Sequence, residues 1–142
     1  MKYISYRRGY KYQLAKTFTV TVKIFPFTVI DVGFISLTTD GFLTIREGYA
    51  SDGPSGPTMD TPSSIRGAFV HDALYQLLRL GFLPQGFRKD CDQAAYELWT
   101  EDGMWVWRAR LWRRELNNFG SPAADPKNIK RVYIAPRKGF LA

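Results

Sequence analysis

Residues Tyr49 to Trp99 read YASDGPSGP (49–57), TMDTPSSIRGAFVHDALYQLLRL (58–80) and GFLPQGFRKDCDQAAYELW (81–99). The stretch contains His71, the only histidine of the chain, and several acidic residues in a protein that is basic as a whole. These acidic residues are Asp52, Asp60, Asp72, Asp90 and Asp92. We expect the fold to be organised around this stretch and its chemistry to lie there.

A first helix is predicted from Pro62 to Leu80. Asp60 or Thr61 is a suitable N-cap, and proline suits the first helical position because its missing N–H would be unpaired there anyway. Gly81 can adopt the left-handed conformation that ends a helix. Spacings of three and four residues place four side chains on one face of this helix. They are Ala68, His71, Tyr75 and Leu78.

A second helix is predicted from Pro84 to Asp102. The short connection between the two helices favours an antiparallel pair, which would bring Asp92 opposite His71. The carboxylate could then accept the proton of one imidazole nitrogen, and the other nitrogen would be a base able to activate water. Asp72 would border the same site from about a third of a helical turn away. The alternative is that His71 is a hydrogen-bonded core residue.

Two short motifs carry a resemblance to a known family: His-Asp-x-x-Tyr at 71–75 and Cys-Asp-x-Ala-Ala at 91–95. They resemble the active-site pair of helices in secreted calcium-dependent phospholipases of the A-two class. The resemblance implies that His71 activates water and that Asp92 orients the imidazole. It further implies that Tyr75 supports the Asp92 carboxylate.

The same resemblance implies a calcium site. Asp72 would be a calcium ligand, and the loop that begins with Asp52 and Gly53 would take the place of the calcium-binding loop. Any metal here should be a hard cation, because the nearby ligands are carboxylates and carbonyls without a thiolate cluster or a second histidine. Asp52 can also be explained as a turn residue, since Asp-Gly-Pro favours turns.

A longer pattern combines Asp-Gly-Pro-Ser-Gly-Pro at 52–57, His-Asp-x-Leu-Tyr at 71–75 and a later aspartate. It is similar to a family of small tailed-phage proteins of unassigned function. This resemblance implies synthesis in the host cytoplasm, a possible place in the virion tail, and other virion proteins as partners.

Composition sets limits on the class of protein. With 142 residues, of which 45% are hydrophobic, the chain fits one globular domain. A net charge of +7 suits nucleic acid, an anionic membrane surface or an acidic protein as partner. Cys91 is the only cysteine and cannot pair within the chain, so nothing requires an oxidising compartment. We expect neither a signal peptide nor a membrane span, because no apolar run is long enough.

Residues 1–50 are predicted to form three to five antiparallel strands. Hydrophobic and polar residues alternate along Phe18–Ile24, which is typical of a half-buried strand. Two apolar segments, Phe34–Thr38 and Phe42–Arg46, flank an Asp-Gly pair that favours a two-residue hairpin turn. An extended segment at Arg131–Ala135 could add an edge strand.

A third helix is predicted from Met104 to Asn118, closed by Gly120. Its apolar stripe consists of Trp105, Ala109, Trp112 and Leu116, while its basic residues are Arg108, Arg110, Arg113 and Arg114. Such a basic helix with tryptophans could lie on an anionic membrane. The alternative, which we prefer, is that the stripe packs on the first helix and the arginines are solvated.

The predicted fold class is α+β, with an N-terminal antiparallel sheet followed by three helices, two of which carry the His-Asp site. The single domain 1–142 would comprise strands (1–50), a Gly/Pro loop (51–61), helices (62–120) and a tail (121–142). Two functions are compatible with it. One is a phage-encoded hydrolase of phospholipid esters, for which the resemblance implies calcium as cofactor. The other is a structural component of a phage tail or baseplate, in which the His-Asp cluster is a buried hydrogen-bonded network. We find no recognised nucleic-acid-binding motif and do not expect that partner.

Overall fold

The computed structural model describes residues 4, 6–9, 11–51 and 61–128. The fold is α+β: within these residues, antiparallel strands come first and helices follow. The strands are β1 (Tyr6–Gly9), β2 (Lys11–Leu14), β3 (Phe18–Thr21), β4 (Ile30–Asp31), β5 (Ile35–Leu37), β6 (Phe42–Ile45) and β7 (Ala50–Ser51). The helices are α1 (Pro62–Arg79), α2 (Arg88–Glu101), α3 (Val106–Phe119) and the short α4 (Ser121–Ala124). The segment predicted as an edge strand, Arg131–Ala135, lies outside the described residues.

The strands form two sheets rather than the single sheet that the sequence predicts. One has the order β1-β2-β7, the other has the order β3-β6-β5-β4, and every pairing is antiparallel. The described residues contain seven strands, more than the predicted three to five. The count was too low because β4 and β7 have only two residues each, too few to show an alternating pattern.

The predicted hairpin is present as β5 and β6, with Leu37 paired to Leu43. Its loop has three residues, 39–41, instead of the two that the Asp-Gly pair suggested. Gly41 ends this loop at φ 82°, the left-handed conformation that three-residue hairpin loops require. A side chain at Gly41 would also collide with the Val22 carbonyl oxygen, 2.1 Å from an ideal Cβ position.

Local sequence signals set both ends of α1. The helix starts after Thr61, whose N–H donates to the Ser64 hydroxyl (3.0 Å). It ends at Arg79, and Gly81 follows the C-cap in the left-handed conformation (φ 79°). The N–H groups of Gly81 and Phe82 donate to the carbonyls of Leu78 and Leu77 in the last turn (3.1 and 3.0 Å). This double bond pattern is a Schellman motif, which satisfies carbonyls that a helix end leaves unpaired. The predicted start is confirmed, and the predicted end is one residue too late.

The starts of α2 and α3 differ from the prediction. Pro84 is extended (ψ 146°) and a 3-10 turn at Gln85–Phe87 follows it, so that α2 begins only at Arg88. Trp105 is likewise extended (ψ 136°) and precedes α3. Its side chain is 69% exposed, so the prediction that it belongs to the buried stripe is wrong.

The apolar stripe of α3 packs on α2, not on the first helix as predicted. Ala109 and Trp112 are buried, and the Trp112 ring meets the Trp99 ring edge-on with centroids 5.1 Å apart. These residues form a cluster of their own with Ala95 and Met104. The main core lies between the two sheets and α1, and α2 closes it from the other side.

Close contact holds α1 and α2 in antiparallel register. The Trp99 indole N–H donates to the Ser64 carbonyl (2.9 Å). Gly67 makes room for this ring, because an added Cβ would lie 2.5 Å from its nitrogen. Beside it, the buried Arg66 guanidinium donates to the Asp102 carboxylate (2.7 Å). This register brings the middle of α1 opposite the start of α2. Among the helices within residues 61–128, none has the length and apolar character needed to cross a bilayer.

Candidate active site

The site is centred on a buried pair of side chains contributed by α1 and α2. His71 Nε2 lies 2.8 Å from Asp92 Oδ1, with His71 8% exposed and Asp92 fully buried. An imidazole nitrogen that faces a carboxylate carries its proton there, so Nε2 donates and Nδ1 keeps its lone pair. Among the described residues Nδ1 has no hydrogen-bond partner. The geometry thus leaves one ring nitrogen available as a base.

Tyr75 lies one helical turn after His71 and supports the same carboxylate oxygen. Its hydroxyl donates to Asp92 Oδ1 (2.6 Å), and its ring centroid lies 4.0 Å from that of the imidazole. Burial, together with the neighbouring Asp92 carboxylate, raises the pKa of Tyr75. The phenol therefore stays protonated and remains a hydrogen-bond donor.

The second oxygen of Asp92 is buried and accepts no hydrogen bond from the described residues. Arg88 Nη1 lies 4.0 Å from this oxygen, one turn earlier on α2. The Arg88 guanidinium also donates to the carbonyls of Leu116 and Asn117 (3.1 Å each) near the end of α3. Arg88 therefore places a positive charge beside the carboxylate and ties it to α3.

Gly120, just after α3, contributes by having no side chain. A Cβ at this position would lie 2.5 Å from the Tyr75 hydroxyl oxygen and 2.5 Å from the Leu116 carbonyl oxygen. Because Gly120 has no side chain, the backbone at this position can pass close to the Tyr75 hydroxyl. The sequence predicts Gly120 only as a helix end. Arg88 is a further site residue that the predicted set lacks, although its position four residues before Asp92 is a recognisable pairing signal on a helix.

Asp72 faces a different neighbour from His71. Its carboxylate accepts a hydrogen bond from the buried Ser51 hydroxyl on β7. Sequence reasoning did not identify Ser51, and only its position next to the 52–57 loop could have drawn attention to it. The other predicted metal ligands, Asp52 and Gly53, lie outside the described residues.

Calcium in proteins takes six to eight oxygen ligands. The described residues contain no group of three or more His, Cys, Asp or Glu side chains placed to hold a metal ion. The carboxylate of Asp72 and the hydroxyl of Ser51 do not by themselves make a calcium site.

Cys91, next to Asp92 on α2, is fully buried. Burial and the neighbouring carboxylates raise the pKa of its thiol. A protonated, inaccessible thiol is a poor nucleophile. Cys91 is therefore a residue of the core and not of the chemistry.

No protein-family model, curated protein or solved structure matches the chain. The resemblances carried by the motifs at 71–75 and 91–95 therefore stay predictions.

Proposed function

We propose that the protein is a hydrolase in which the His71–Asp92 pair activates a water molecule for attack on an ester. The observation that carries the proposal is the 2.8 Å contact between His71 Nε2 and a fully buried carboxylate. Such a contact fixes the tautomer of the imidazole and stabilises the imidazolium that forms when it takes a proton. Tyr75 keeps the carboxylate in place through its hydrogen bond to the same oxygen.

In the proposed reaction, Nδ1 of His71 removes a proton from water while the water oxygen bonds to the ester carbonyl carbon. The tetrahedral intermediate then collapses with cleavage of the bond to the alcohol oxygen. The imidazolium returns its proton to this leaving oxygen, so that water and ester give an acid and an alcohol. Asp92 makes no bond to the substrate and acts only by orienting the imidazole and stabilising its charged form.

A phospholipid ester is the substrate class that the motif resemblance implies. The same resemblance suggests calcium at Asp72, and the tailed-phage pattern suggests a role in penetrating or lysing the host envelope. These three points rest on the sequence motifs.

The test is release of fatty acid from anionic phospholipid vesicles by the purified chain, with added calcium and with a chelator. We expect release by the wild type and only background release by His71→Gln. Asp92→Asn should lower the rate by up to roughly 10⁴-fold, because an asparagine no longer fixes the imidazole tautomer that makes Nδ1 the base. The matched control is Asp90→Asn, which removes an exposed carboxylate two residues away and should leave the rate unchanged.

Circular dichroism of each variant separates loss of activity from loss of fold. A folded wild type that is no more active than folded His71→Gln, with or without calcium, would contradict the proposed hydrolase. An equal rate with calcium and with chelator would remove calcium from the proposal and leave the water-activating pair intact.

A second candidate function is a structural component of a phage tail or baseplate. It is favoured by apolar side chains that are exposed around the four-stranded sheet, where a partner subunit could cover them. They are Phe25, Phe27, Val29, Phe34 and Phe42. Incorporation of both wild type and His71→Gln into particles, with equal infectivity, would favour this function over hydrolysis.

A further inference from the structure

Helix α3 has an exposed face of apolar and basic residues opposite the stripe that packs on α2. Four outward residues recur at helical spacing, and at 100° per residue their mean direction lies about 180° from the buried stripe. They are Trp107, Arg110, Leu111 and Arg114, all of them exposed. The Trp107 ring is 62% exposed, and its centroid lies 6.0 Å from that of Trp105 just before the helix.

The arginines of α3 divide into two groups. The guanidinium groups of Arg108 and Arg113 lie over the rings of Trp112 and Tyr96, at 4.6 and 4.1 Å from the centroids. Arg110 and Arg114 instead point outward, and the described part of the chain offers them no ion pair. No acidic residue occurs from 103 to 114, and the next acidic residue along the chain is the exposed Glu115. The outward face therefore combines large apolar side chains with net positive charge.

We propose that this outward face, defined by Trp105, Val106, Trp107, Leu111 and the arginines at 110 and 114, binds the surface of an anionic lipid bilayer with α3 parallel to the membrane plane. Tryptophan rings favour the boundary between acyl chains and headgroups, because one side is apolar and the indole N–H can meet water. Arginines on the same face would meet lipid phosphates and extend their apolar stems along the boundary. Both contributions act together in an interfacial helix.

A lipid surface explains this face better than a nucleic acid does. Nucleic-acid backbones would pair with Arg110 and Arg114 but would leave Val106 and Leu111 in contact with water. A bilayer offers both an apolar layer and anionic groups within the width of one helix. The proposal goes beyond ester hydrolysis and does not depend on it, since none of these side chains belongs to the His71 site.

The chain contains its own reporters for the test. Trp99 and Trp112 are buried between α2 and α3, whereas Trp105 and Trp107 are exposed. A change in tryptophan emission or in acrylamide quenching on lipid binding should therefore come from the two exposed rings. Replacing both by phenylalanine should abolish the change in emission while leaving the signal of the buried pair.

The binding experiment uses the purified full chain and co-sedimentation with vesicles of phosphatidylglycerol or of phosphatidylcholine. We expect binding to phosphatidylglycerol that weakens as salt rises, with little binding to phosphatidylcholine. Combined Trp105→Ala and Trp107→Ala should weaken binding at least tenfold. Combined Arg110→Gln and Arg114→Gln should weaken it about thirtyfold, since each basic residue near an anionic surface contributes roughly a factor of five.

Matched control variants remove the same kinds of side chain, aromatic or basic, from other parts of the surface. Phe25→Ala with Phe27→Ala removes two exposed aromatic rings, and Lys16→Gln with Lys127→Gln removes two exposed charges. Both control pairs, and His71→Gln, should bind like the wild type. Because His71→Gln should bind vesicles like the wild type, membrane binding can be judged even if the hydrolysis assay shows no activity.

Three results would overturn the proposed membrane face. They are wild-type binding by the double tryptophan variant, equal binding to both lipids, and an absence of vesicle binding by a chain that binds duplex DNA through Arg110 and Arg114.

Discussion

Asp92 is the centre of a buried polar cluster that it forms with His71, Tyr75 and Arg88. Burying a carboxylate away from water costs several kcal/mol unless hydrogen bonds and opposite charge offset that cost. His71 and Tyr75 both donate to Oδ1, and the Arg88 guanidinium lies 4.0 Å from Oδ2. Each of these neighbours therefore contributes to stability as well as to the orientation of the imidazole.

Replacing Tyr75 by phenylalanine should test the contribution of one donor. The ring can stay in place, but Asp92 loses a hydrogen bond of 2.6 Å in a buried position. Hydrogen bonds to charged groups contribute about 1.5–3 kcal/mol, so the free energy of unfolding should fall by roughly that amount. Urea denaturation measures it. Tyr96→Phe is the control, because the Tyr96 ring packs under Arg113 and its hydroxyl has no hydrogen bond within the described residues. Equal stability of wild type and Tyr75→Phe would contradict the bonding described for Asp92.

The raised pKa of Tyr75 predicts a dependence of stability on alkaline pH. Burial and the Asp92 carboxylate keep the phenol protonated in the folded chain, whereas an unfolded tyrosine ionises near pH 10. The folded state therefore binds more protons above about pH 10, and stability falls as the pH rises. The contribution is fully present below that pH. Urea midpoints at about pH 9 and about pH 11 should differ more for the wild type than for Tyr75→Phe. Equal shifts of the urea midpoint in the two proteins would contradict the raised pKa of Tyr75.

At the scale of elements, the register between α1 and α2 depends on Gly67. Gly67→Ala should destabilise the protein by about 1–3 kcal/mol, because the new methyl group would collide with the Trp99 ring. This loss outweighs the roughly 1 kcal/mol that alanine usually adds to helix stability. Thermal unfolding measures the change. Gly86→Ala is the matched control, since an added Cβ there meets nothing within 4 Å. A stabilised Gly67→Ala protein would show that the helices are not in such close contact.

Elements with local signals were predictable from the sequence. The ends of α1 follow from Thr61, Pro62 and Gly81, whose effects depend only on the neighbouring backbone. The start of α2 could not be predicted, because a 3-10 turn after Pro84 satisfies the same turn preferences as a helix start. The stripe of α3 indicated a buried face but not its partner, since periodicity does not specify which helix lies opposite.

The same distinction applies to the site. The approach of Asp92 to His71 could be predicted, because both lie on adjacent helices joined by a short connection. The positions of Ser51 and Gly120 could not be predicted, because these residues lie on β7 and just after α3, far from His71 in the sequence. Their positions depend on tertiary packing that no spacing in the sequence specifies.

For the whole molecule, α1 lies between the sheets and α2, and Cys91 is fully buried in this shared core. Burial also raises the pKa of the thiol, which keeps it protonated and unreactive. Alkylation of Cys91 should therefore require opening of the core, and its rate should follow the free energy of global unfolding as urea is added. A second thiol placed by Thr39→Cys, in the exposed hairpin loop, should react at once. Rapid labelling of Cys91 in the folded chain would contradict the packing of α2 on α1.

The central claim is that the folded molecule directs His71 Nε2 to Asp92 and leaves Nδ1 as the base. ¹⁵N NMR of histidine-labelled protein tests it most directly, because His71 is the only histidine and gives one set of signals. At mildly alkaline pH, where an ordinary imidazole is neutral, we predict a protonated Nε2 and an unprotonated Nδ1. In Asp92→Asn this preference should weaken or disappear. A wild-type spectrum with the proton on Nδ1, or with the averaged signals of a freely exchanging imidazole, would contradict the account.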